Sequence, residues 1–348
     1  MKESFELGNT DMDIFPLGFG GIPIQRVSHE KAVEVVSEAV SRGINFIDTA
    51  RAYSDSEEKI GDALNAFKKD QDTDKSIYLA TKTPAQNSEE ALEDVEKSLE
   101  HLQVDKIDLY QLHNVSSEED YHNQVKKDDS AFRGLKKAQR RGLIEHIGIT
   151  GHSDDLLLEA LQEYDFATVQ FCYNFIESEA EEELIPYARD HHIGMIAMKP
   201  LAGGRLERAD ISLKYILNQD KVVPIPGMET GNEVRENIVA ARNSDELTVK
   251  EEEYLQQRRE ELGNQFCRRC QYCLPCPEEI KIPVVLRVES FFNRMPVADL
   301  KEGPYETFLK AEDCTECMEC VAKCPYDLPI PELLKENLEF ARREIEGH

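Results

Sequence analysis

The chain alternates between two patterns of apolar residues. Short apolar runs typical of buried strands are each followed by a longer segment with apolar residues three and four positions apart, which is typical of an amphipathic helix. The predicted strands are Phe15–Gly21, Asn45–Asp48, Ile77–Lys82, Ile107–Leu112, Ile144–Thr150, Thr168–Tyr173, Ile193–Met198 and Val222–Pro226. The predicted helices are Ser28–Ser41, Ser56–Phe67, Ser88–Leu102, Ser130–Arg141, Ser153–Gln162, Ala180–Asp190, a segment containing Leu213–Leu217, and Gly231–Ala241.

This regular alternation predicts a parallel sheet with helical crossovers. Eight repeats fit a closed (β/α)8 TIM barrel, so the predicted fold class is α/β. A doubly wound open sheet is the alternative, and the lack of a Gly-x-Gly-x-x-Gly turn after any early strand disfavours it. After about Asn264 the composition changes to cysteine, proline and aromatic residues. We therefore expect the barrel in residues 1–262 and a small, mainly helical domain in residues 263–348.

The charge and the apolar runs exclude several classes of partner. The 348 residues have a formal net charge of −28, and such a field repels nucleic acid and anionic membranes. No run of about 18 apolar residues predicts a transmembrane helix. The segment Met1–Glu6 lacks the apolar core of a signal peptide. We therefore expect a cytoplasmic protein with no nucleic-acid or membrane partner.

Eight of the nine cysteines lie in two short stretches, Cys267–Cys276 and Cys314–Cys324. In each stretch three cysteines follow at i, i+3 and i+6, and a fourth precedes a proline. Such a loop can bind three corners of an iron–sulfur cubane, while the fourth cysteine ligates the other cluster. We therefore predict two [4Fe–4S] clusters, one held by Cys267, Cys270, Cys273 and Cys324, the other by Cys314, Cys317, Cys320 and Cys276.

Two other interpretations of these cysteines are weaker. A zinc site usually combines a Cys-x2-Cys pair with a second pair far away, and disulfides are rare in the cytoplasm. The first motif has two residues before Cys276 instead of the usual three, which departs from the iron–sulfur pattern. The ninth cysteine, Cys172, lies in an apolar strand, so we expect a buried structural thiol.

Four polar side chains lie at the ends of three successive predicted strands. Asp48 ends the second strand and a short loop delivers Tyr53, while Lys82 ends the third strand and His113 follows the fourth. The carboxyl ends of barrel strands form the face on which barrel enzymes keep their catalytic residues. We therefore expect these four side chains to converge on one pocket.

Three segments resemble those of a known family. They are Asp48-Thr49-Ala50-x2-Tyr53 followed by Ser56-Glu57 and Ile60-Gly61, then Ala80-Thr81-Lys82, then Asp108-Leu109-Tyr110-x-Leu112-His113. Their order and their placement at strand ends resemble the aldo-keto reductase family, from about Phe5 to Ala241. The cysteine-rich domain resembles the ferredoxin-like extension, with two [4Fe–4S] clusters, of one branch of that family.

The resemblance implies hydride transfer between NAD(P)H and a small aldehyde or ketone, or oxidation of the alcohol. The carbonyl oxygen must then receive a proton, and Tyr53 is the expected donor. A free tyrosine, with a pKa of about 10, is a poor donor at neutral pH. The ammonium of Lys82 is expected to lower that pKa, with Asp48 holding Lys82 and His113 orienting the carbonyl.

The resemblance also implies contacts with the cofactor. Thr150 and Gln170 are expected at the nicotinamide amide, where His152 or a water replaces the asparagine of the family. Met198 lies where many members stack a tyrosine on the nicotinamide, and the next residues match a loop over the pyrophosphate. The expected cofactor contacts are Gly21, Asp48, Thr150, Gln170, Met198, Lys199, Pro200, Leu201, Gly203, Gly227, Met228, Glu233 and Asn237.

One segment bears on the choice between NAD and NADP. Members specific for NADP carry a lysine at the position of Gly227 and an arginine near Glu233, because a 2′-phosphate needs cations. Here these positions hold a glycine and a carboxylate. We therefore expect NAD(H) to be accepted at least as well as NADP(H).

The role of the clusters stays open at this point. A nicotinamide moves two electrons as hydride and a cluster moves one, so direct coupling needs a converter such as a flavin, for which we find no motif. The clusters either exchange electrons with a ferredoxin or flavoprotein or are structural. A second hypothesis is an electron-transfer or redox-sensing protein with the barrel as a scaffold, and the intact set of four polar residues argues against it.

Overall fold

The computed structural model describes residues 4–70, 76–263, 265–269, 271–293 and 295–347. The chain divides into two compact units, Met1–Leu247 and Thr248–His348. Within the described residues, the strands all lie in the first unit: β1 (Phe5–Glu6), β2 (Asp13–Ile14), β3 (Phe19–Gly20), β4 (Phe46–Asp48), β5 (Tyr78–Thr83), β6 (Ile107–Leu112), β7 (Ile144–Thr150), β8 (Thr168–Cys172), β9 (Gly194–Met198) and β10 (Val222–Pro224).

The helices follow the strands through the first unit and continue alone through the second. In the first unit they are α1 (His29–Ser41), α2 (Ser56–Asp70), α3 (Ser88–Leu102), α4 (Glu118–Tyr121), α5 (Ala131–Arg140), α6 (Asp154–Glu163), α7 (Leu184–Asp190), α8 (Ala209–Leu217) and α9 (Gly231–Arg242). In the second they are α10 (Val249–Leu262), α11 (Ile282–Val285), α12 (Val288–Phe292), α13 (Val297–Glu302), α14 (Pro304–Leu309), α15 (Glu319–Lys323) and α16 (Ile330–Glu346). A domain boundary after Leu262 stays a prediction.

Across the described residues, β3 to β10 form one sheet of eight strands in chain order, each parallel to the next. Backbone hydrogen bonds close the sheet on itself. Gly18 N donates to Pro224 O at 3.0 Å, and Gly20 N donates to Pro226 O at 2.9 Å. The predicted (β/α)8 barrel is confirmed. No described helix is both long enough and apolar enough to cross a membrane.

The barrel interior changes from apolar to polar along its strands. One apolar cluster inside the barrel joins Phe46, Ala80 and Leu109. Their chain neighbours, such as Leu79 and Tyr110, belong to the larger core between the sheet and the helices. Because strand side chains alternate between two faces, the residues two positions after the interior ones also point inward. β4, β5 and β6 therefore bring polar side chains to the carboxyl end of the interior.

Several predicted elements differ from the structure at their ends. The predicted strand Phe15–Gly21 is reduced to β3, since Pro16 has no N–H to donate to a ladder. The hairpin of β1 and β2 was not predicted, because strands of two residues carry no readable alternation. Leu7, in the turn between them, is fully buried. The predicted helix Ala180–Asp190 begins at Leu184, after a separate short turn at Glu179–Glu181.

The second unit is helical, as predicted, but its helices between the two cysteine motifs are short. The stretch Ile282–Phe308, whose apolar residues predict helical structure, is divided among α11 to α14, and Pro296 and Pro304 stand at the starts of α13 and α14. Proline is accepted in a first helical turn and not in the helix interior, so it divides the segment. The spacing of Leu333, Leu334, Leu338 and Phe340 predicts a helix over Pro331–Arg343, which is confirmed as the core of α16.

The two cysteine motifs share one backbone conformation. In each motif, the residues before and after the second cysteine have left-handed backbone angles, and so does the residue three positions after the fourth cysteine. These residues are Arg269, Gln271 and Glu279 in the first motif and Glu316, Met318 and Asp327 in the second. A helix that starts with Ile-Pro then follows each motif, at Ile282 and at Ile330. The repeat seen in the cysteine spacing is therefore also a repeat in the backbone structure.

Candidate active site and metal centre

Asp48 and Lys82 form a buried ion pair at the ends of β4 and β5. Lys82 Nζ donates to Asp48 Oδ2 and to Thr49 O, both at 2.6 Å. Gln111 Nε2 lies 3.2 Å from Asp48 Oδ1 and 3.1 Å from Gln170 Oε1. Buried charges are tolerated when hydrogen bonds satisfy the remaining polar atoms. The lysine is therefore held in one position, inside the barrel.

Tyr53 and His113 meet above this ion pair. The two rings are edge to face, with centroids 5.7 Å apart and an interplanar angle of 82°. Lys82 Nζ lies 5.2 Å from the centroid of the Tyr53 ring. All four predicted catalytic residues thus come together at the carboxyl end of the barrel. A phenol next to an ammonium and an imidazole is an arrangement that can transfer a proton to a bound oxygen.

Burial controls the charge of the imidazole. It lowers the pKa of His113 to about 3, and the ammoniums of Lys82 and Lys199 act in the same direction. His113 is therefore neutral at neutral pH, with one ring N–H available as a donor. Burial also raises the pKa of the Asp48 carboxyl, against the opposing effect of Lys82.

A second polar group lies at the ends of β6, β7 and β9. Thr150 Oγ1 accepts a hydrogen bond from Asn114 N at 2.9 Å. His152 Nδ1 lies 2.5 Å from Asn114 Oδ1, and Lys199 Nζ lies 2.6 Å from His152 Nε2. Because an ammonium can only donate, His152 Nε2 accepts and the ring proton sits on Nδ1. These contacts link the predicted nicotinamide region to the loop that follows β9.

The loop after β9 has the backbone shape of an anion site. Lys199, Ala202, Gly203 and Gly204 all have positive φ angles, from 49° to 94°. A Cβ atom added at Gly204 would meet nothing within 4 Å, so this backbone is open. Successive N–H groups in such turns form concavities that bind anions. Two of its N–H groups, those of Ala202 and Gly204, already donate to Lys199 O and Leu201 O, so the pyrophosphate contact stays a prediction.

The backbone at the start of α9 explains why Gly227 and Glu233 occupy the segment that bears on the choice between NAD and NADP. Thr230 and Glu233 form a capping box, in which Glu233 Oε2 accepts from Glu229 N at 2.8 Å and Thr230 N at 2.9 Å. A Cβ atom at Gly227 would lie 2.5 Å from Pro23 Cγ, so no side chain fits there. Of the other predicted contacts, Gly21, Pro200, Met228 and Asn237 are buried, and Met198 and Leu201 are partly buried.

A cavity in the second unit is bordered by four predicted ligands of one cluster: Cys276, Cys314, Cys317 and Cys320. They come from both motifs, as the crossed ligand pattern requires. Ile280, Ile282 and Leu334 line the same cavity, so its walls are largely apolar. Thiols that border one apolar cavity suit a [4Fe–4S] cubane, although the described His, Cys, Asp and Glu side chains form no group of three placed to hold a single metal ion. Cys273 also borders the cavity, although the spacing assigns it to the other cluster.

Deprotonation of the thiols that border this cavity is unfavourable when no cation is bound. Burial raises the pKa of Cys320, and Cys314 and Cys317 add to the effect. A positively charged iron core would offset this cost, because a bound cation is the largest local charge in such a site. For the first cluster, Cys267 and Cys273 are buried and Cys324 is partly buried. Cys270 lies outside the described residues.

Sequence reasoning assigned no structural role to three residues near the catalytic group. Gln111 bridges Asp48 and Gln170, and its inward position follows from the alternation along β6, which is a usable signal. Arg51 and Glu57 form an ion pair of 2.5 Å outside the sheet, close to the loop of Tyr53. That loop has no periodic pattern, so nothing in the sequence predicted the pair.

Comparison with known proteins gives the following similarities. Residues 16–212 match the aldo/keto reductase family, and residues 266–329 match the 4Fe-4S dicluster domain. The chain is 28% identical over 215 residues to the uncharacterized oxidoreductase YqkF of Bacillus subtilis, covering 58% of this chain and 65% of that protein. It is 29% identical over 217 residues to L-galactose dehydrogenase of Arabidopsis thaliana, covering 58% and 66%. The match thus spans just under two thirds of either relative.

Solved structures share the fold. An aldo-keto reductase from Bacillus halodurans superposes with a TM-score of 0.62 at 24% identity, covering 74% of this chain and 96% of that one. An aldo-keto reductase from Klebsiella pneumoniae, solved in complex with NADPH, gives a TM-score of 0.61 at 21% identity, covering 74% and 95%. Both similarities establish the barrel fold.

Proposed function

Because this chain belongs to the aldo/keto reductase family and carries a 4Fe-4S dicluster domain, we propose that it transfers hydride between a nicotinamide cofactor and a small aldehyde, ketone or alcohol. One observation carries this proposal. Asp48, Tyr53, Lys82 and His113 meet at the carboxyl end of the barrel, with the Lys82 ammonium 5.2 Å from the Tyr53 ring. A scaffold without catalysis has no need of this arrangement.

Each of the four residues has a role in the proposed reaction. A reduced nicotinamide supplies the hydride when bound. The Tyr53 hydroxyl gives its proton to the carbonyl oxygen, and the Lys82 ammonium stabilises the phenolate that remains. Asp48 holds Lys82 in place. His113, being neutral, donates its ring N–H to the carbonyl oxygen and orients the substrate.

The residues that would hold the cofactor follow the carboxyl ends of the strands. The loop from Lys199 to Gly204 would bind the pyrophosphate, while Thr150 and Gln170 would contact the nicotinamide amide. The chain is similar to a reductase solved with NADPH. We infer that it nevertheless uses NADH at least as well, because Gly227 has no room for a cationic side chain and Glu233 brings a carboxylate. A hundredfold lower KM for NADPH than for NADH would contradict this.

For the second unit we propose two [4Fe–4S] clusters, the first held by Cys267, Cys270, Cys273 and Cys324 and the second by Cys314, Cys317, Cys320 and Cys276. The clusters would exchange single electrons with a ferredoxin or flavoprotein. The cavity bordered by cysteines of both motifs supports this proposal. Such clusters and reduced thiols suit a cytoplasmic protein.

Replacing Tyr53 tests the proposed reaction. The anaerobically purified protein is assayed for NADH and NADPH oxidation with a panel of aldehydes and ketones. Since a positioned general acid contributes about 10²–10⁴ in rate, we expect Tyr53→Phe to lower kcat by such a factor while the Kd of NAD(P)H stays the same.

Tyr78→Phe is the matched control, because Tyr78 lies at the opposite end of β5 from Lys82. It removes the same hydroxyl group far from the catalytic residues and should leave kcat unchanged. If Tyr53→Phe also keeps the full rate, the reductase proposal is wrong. The hypothesis of an electron-transfer protein with a barrel scaffold would then be favoured.

A further inference from the structure

A buried group of polar side chains lies on the outer face of β5 and β6, behind the catalytic residues. Its centre is Glu57, on α2, which is 1% exposed. Glu57 Oε2 accepts from Arg51 NH1 at 2.5 Å, while its Oε1 accepts from Thr81 Oγ1 at 2.6 Å and from Ser98 Oγ at 2.8 Å. We call Arg51, Glu57, Thr81 and Ser98 the outer network.

The outer network is charged, and its buried polar atoms are hydrogen-bonded except Arg51 Nε. Arg51 Nε also lies 3.7 Å from Asp94 Oδ1, and Asp94 Oδ2 accepts from Thr83 Oγ1 at 2.5 Å. Burial opposes the charge of Arg51, but Glu57 and Asp94 outweigh it and raise the pKa of Arg51. Breaking a buried ion pair by removal of one partner is costly, because the other charge stays buried. Each partner therefore holds the other in place.

Arg51 connects this network to the catalytic loop. It lies between Asp48 and Tyr53 in the chain, and its backbone N donates to Lys82 O at 3.0 Å. On the inner face of the sheet, Lys82 Nζ donates to Thr49 O in the same loop. The loop that carries Tyr53 is therefore fixed from two sides: by the Lys82–Asp48 pair inside the barrel and by the Arg51–Glu57 pair outside it.

Because successive side chains of β5 point to opposite faces of the sheet, this strand connects the barrel interior to the outer network. Lys82 points into the barrel, whereas its neighbour Thr81 points outward and donates to Glu57. A shift of Glu57 would therefore move both the strand end that carries Lys82 and, through Arg51, the loop that carries Tyr53. Close packing adds rigidity at the same place, since a Cβ atom at Gly61 of α2 would lie 2.5 Å from His101 O at the end of α3.

We propose that Arg51 and Glu57 are positioning residues that fix the phenol of Tyr53 relative to the ammonium of Lys82. The proposal rests on the proposed reductase function. Both side chains lie on the outer face of the sheet, away from the barrel interior, so their loss should lower kcat and leave the KM of the carbonyl substrate within about twofold. Misplacement of a reacting group by about 1 Å can cost 10²-fold in rate, and we expect a decrease of 10- to 100-fold.

The experiment compares Arg51→Met, Arg51→Lys and Glu57→Gln with the unchanged protein, under anaerobic conditions. Arg51→Met should show the decrease in kcat at nearly constant KM, and Arg51→Lys, which keeps the charge, should restore at least part of it. Glu57→Gln keeps the volume of the side chain and should also lower kcat. Arg141→Met is the matched control, because Arg141 pairs with Glu96 at the surface and both are about half exposed.

The outcomes separate this inference from the proposed function. If Tyr53→Phe is inactive but Arg51→Met and Glu57→Gln keep the normal kcat, the outer network does not position the tyrosine and the inference is wrong. If Tyr53→Phe is active, the reductase proposal itself fails. Should Arg51→Met not fold, Glu57→Gln decides: a lower kcat with normal circular dichroism and NAD(P)H binding supports positioning, and a normal kcat contradicts it.

Discussion

His113 is a histidine whose environment keeps it neutral. Its side chain is enclosed next to two ammoniums, so its pKa is about 3 in the folded chain, against about 6.5 when unfolded. Between these values the unfolded chain binds more protons than the folded one. The contribution of His113 to stability is therefore fully present above about pH 6.5 and is lost as the pH falls towards 3.

This behaviour predicts a pH-dependent difference between the protein and His113→Asn, which does not titrate. One pH unit corresponds to about 1.4 kcal/mol for one proton. Between pH 6.5 and pH 5 we expect the unchanged protein to lose about 2 kcal/mol more of its free energy of unfolding than the variant does. Urea unfolding of both, followed by circular dichroism at several pH values, measures this. Parallel stability curves for the two proteins would contradict a neutral His113.

At the same scale, the sequence predicted which catalytic residues lie close together, but not which neighbouring side chains hold them in position. Asp48, Lys82 and His113 were found because each ends or follows a strand, and parallel strands bring such ends together. Gln111 could have been found from the same alternation. The Arg51–Glu57 pair could not, because its geometry depends on how a loop and a helix pack on the outer face of the sheet.

At the scale of elements, the periodic segments were predicted well and the irregular ones were not. The helix Ser88–Leu102 was predicted with the bounds that the structure has, because its apolar stripe is continuous. The loop His113–Asp129 gave only a polar composition, yet it contains α4, whose Tyr121 is fully buried. Its buried apolar residues are Val115, Tyr121 and Val125, which are too few and too scattered to predict a helix, so tertiary contacts determine this segment.

The capping box of α9 gives a prediction on cofactor preference. Glu233 caps the helix with its carboxylate, so Glu233→Gln keeps the cap and removes the charge. If this carboxylate repels a 2′-phosphate, we expect kcat/KM for NADPH to rise about tenfold, equivalent to about 1.4 kcal/mol, with kcat/KM for NADH nearly unchanged. Glu236→Gln is the control, since it makes the same charge change on an exposed position of the same helix. Equal effects of both variants would show a general charge effect and not a local contact.

At the scale of the whole molecule, two units carry two kinds of chemistry. Four residues in the first unit form the proposed site of hydride transfer, and cysteines of the second border a cavity suited to an iron–sulfur cubane. As the cysteine spacing predicted, Cys276 of the first motif borders that cavity together with three cysteines of the second, but Cys273 borders it as well. The shared backbone conformation of the motifs could not be predicted, because left-handed residues such as Gln271 and Met318 are not types that favour it.

Cys276 tests this crossed arrangement and the independence of the two chemistries. Two intact clusters correspond to about eight iron atoms per chain. We expect Cys276→Ser to lose about half of the iron and sulfide, together with one of the two cluster signals in the EPR spectrum of the dithionite-reduced protein. Reduction of a carbonyl substrate by NAD(P)H should continue at a similar rate, because its proton donor and its ammonium both lie in the first unit. Cys172→Ser is the control, because it removes a buried thiol of β8 and should keep all the iron. Full iron content in Cys276→Ser would show that Cys276 is not a ligand.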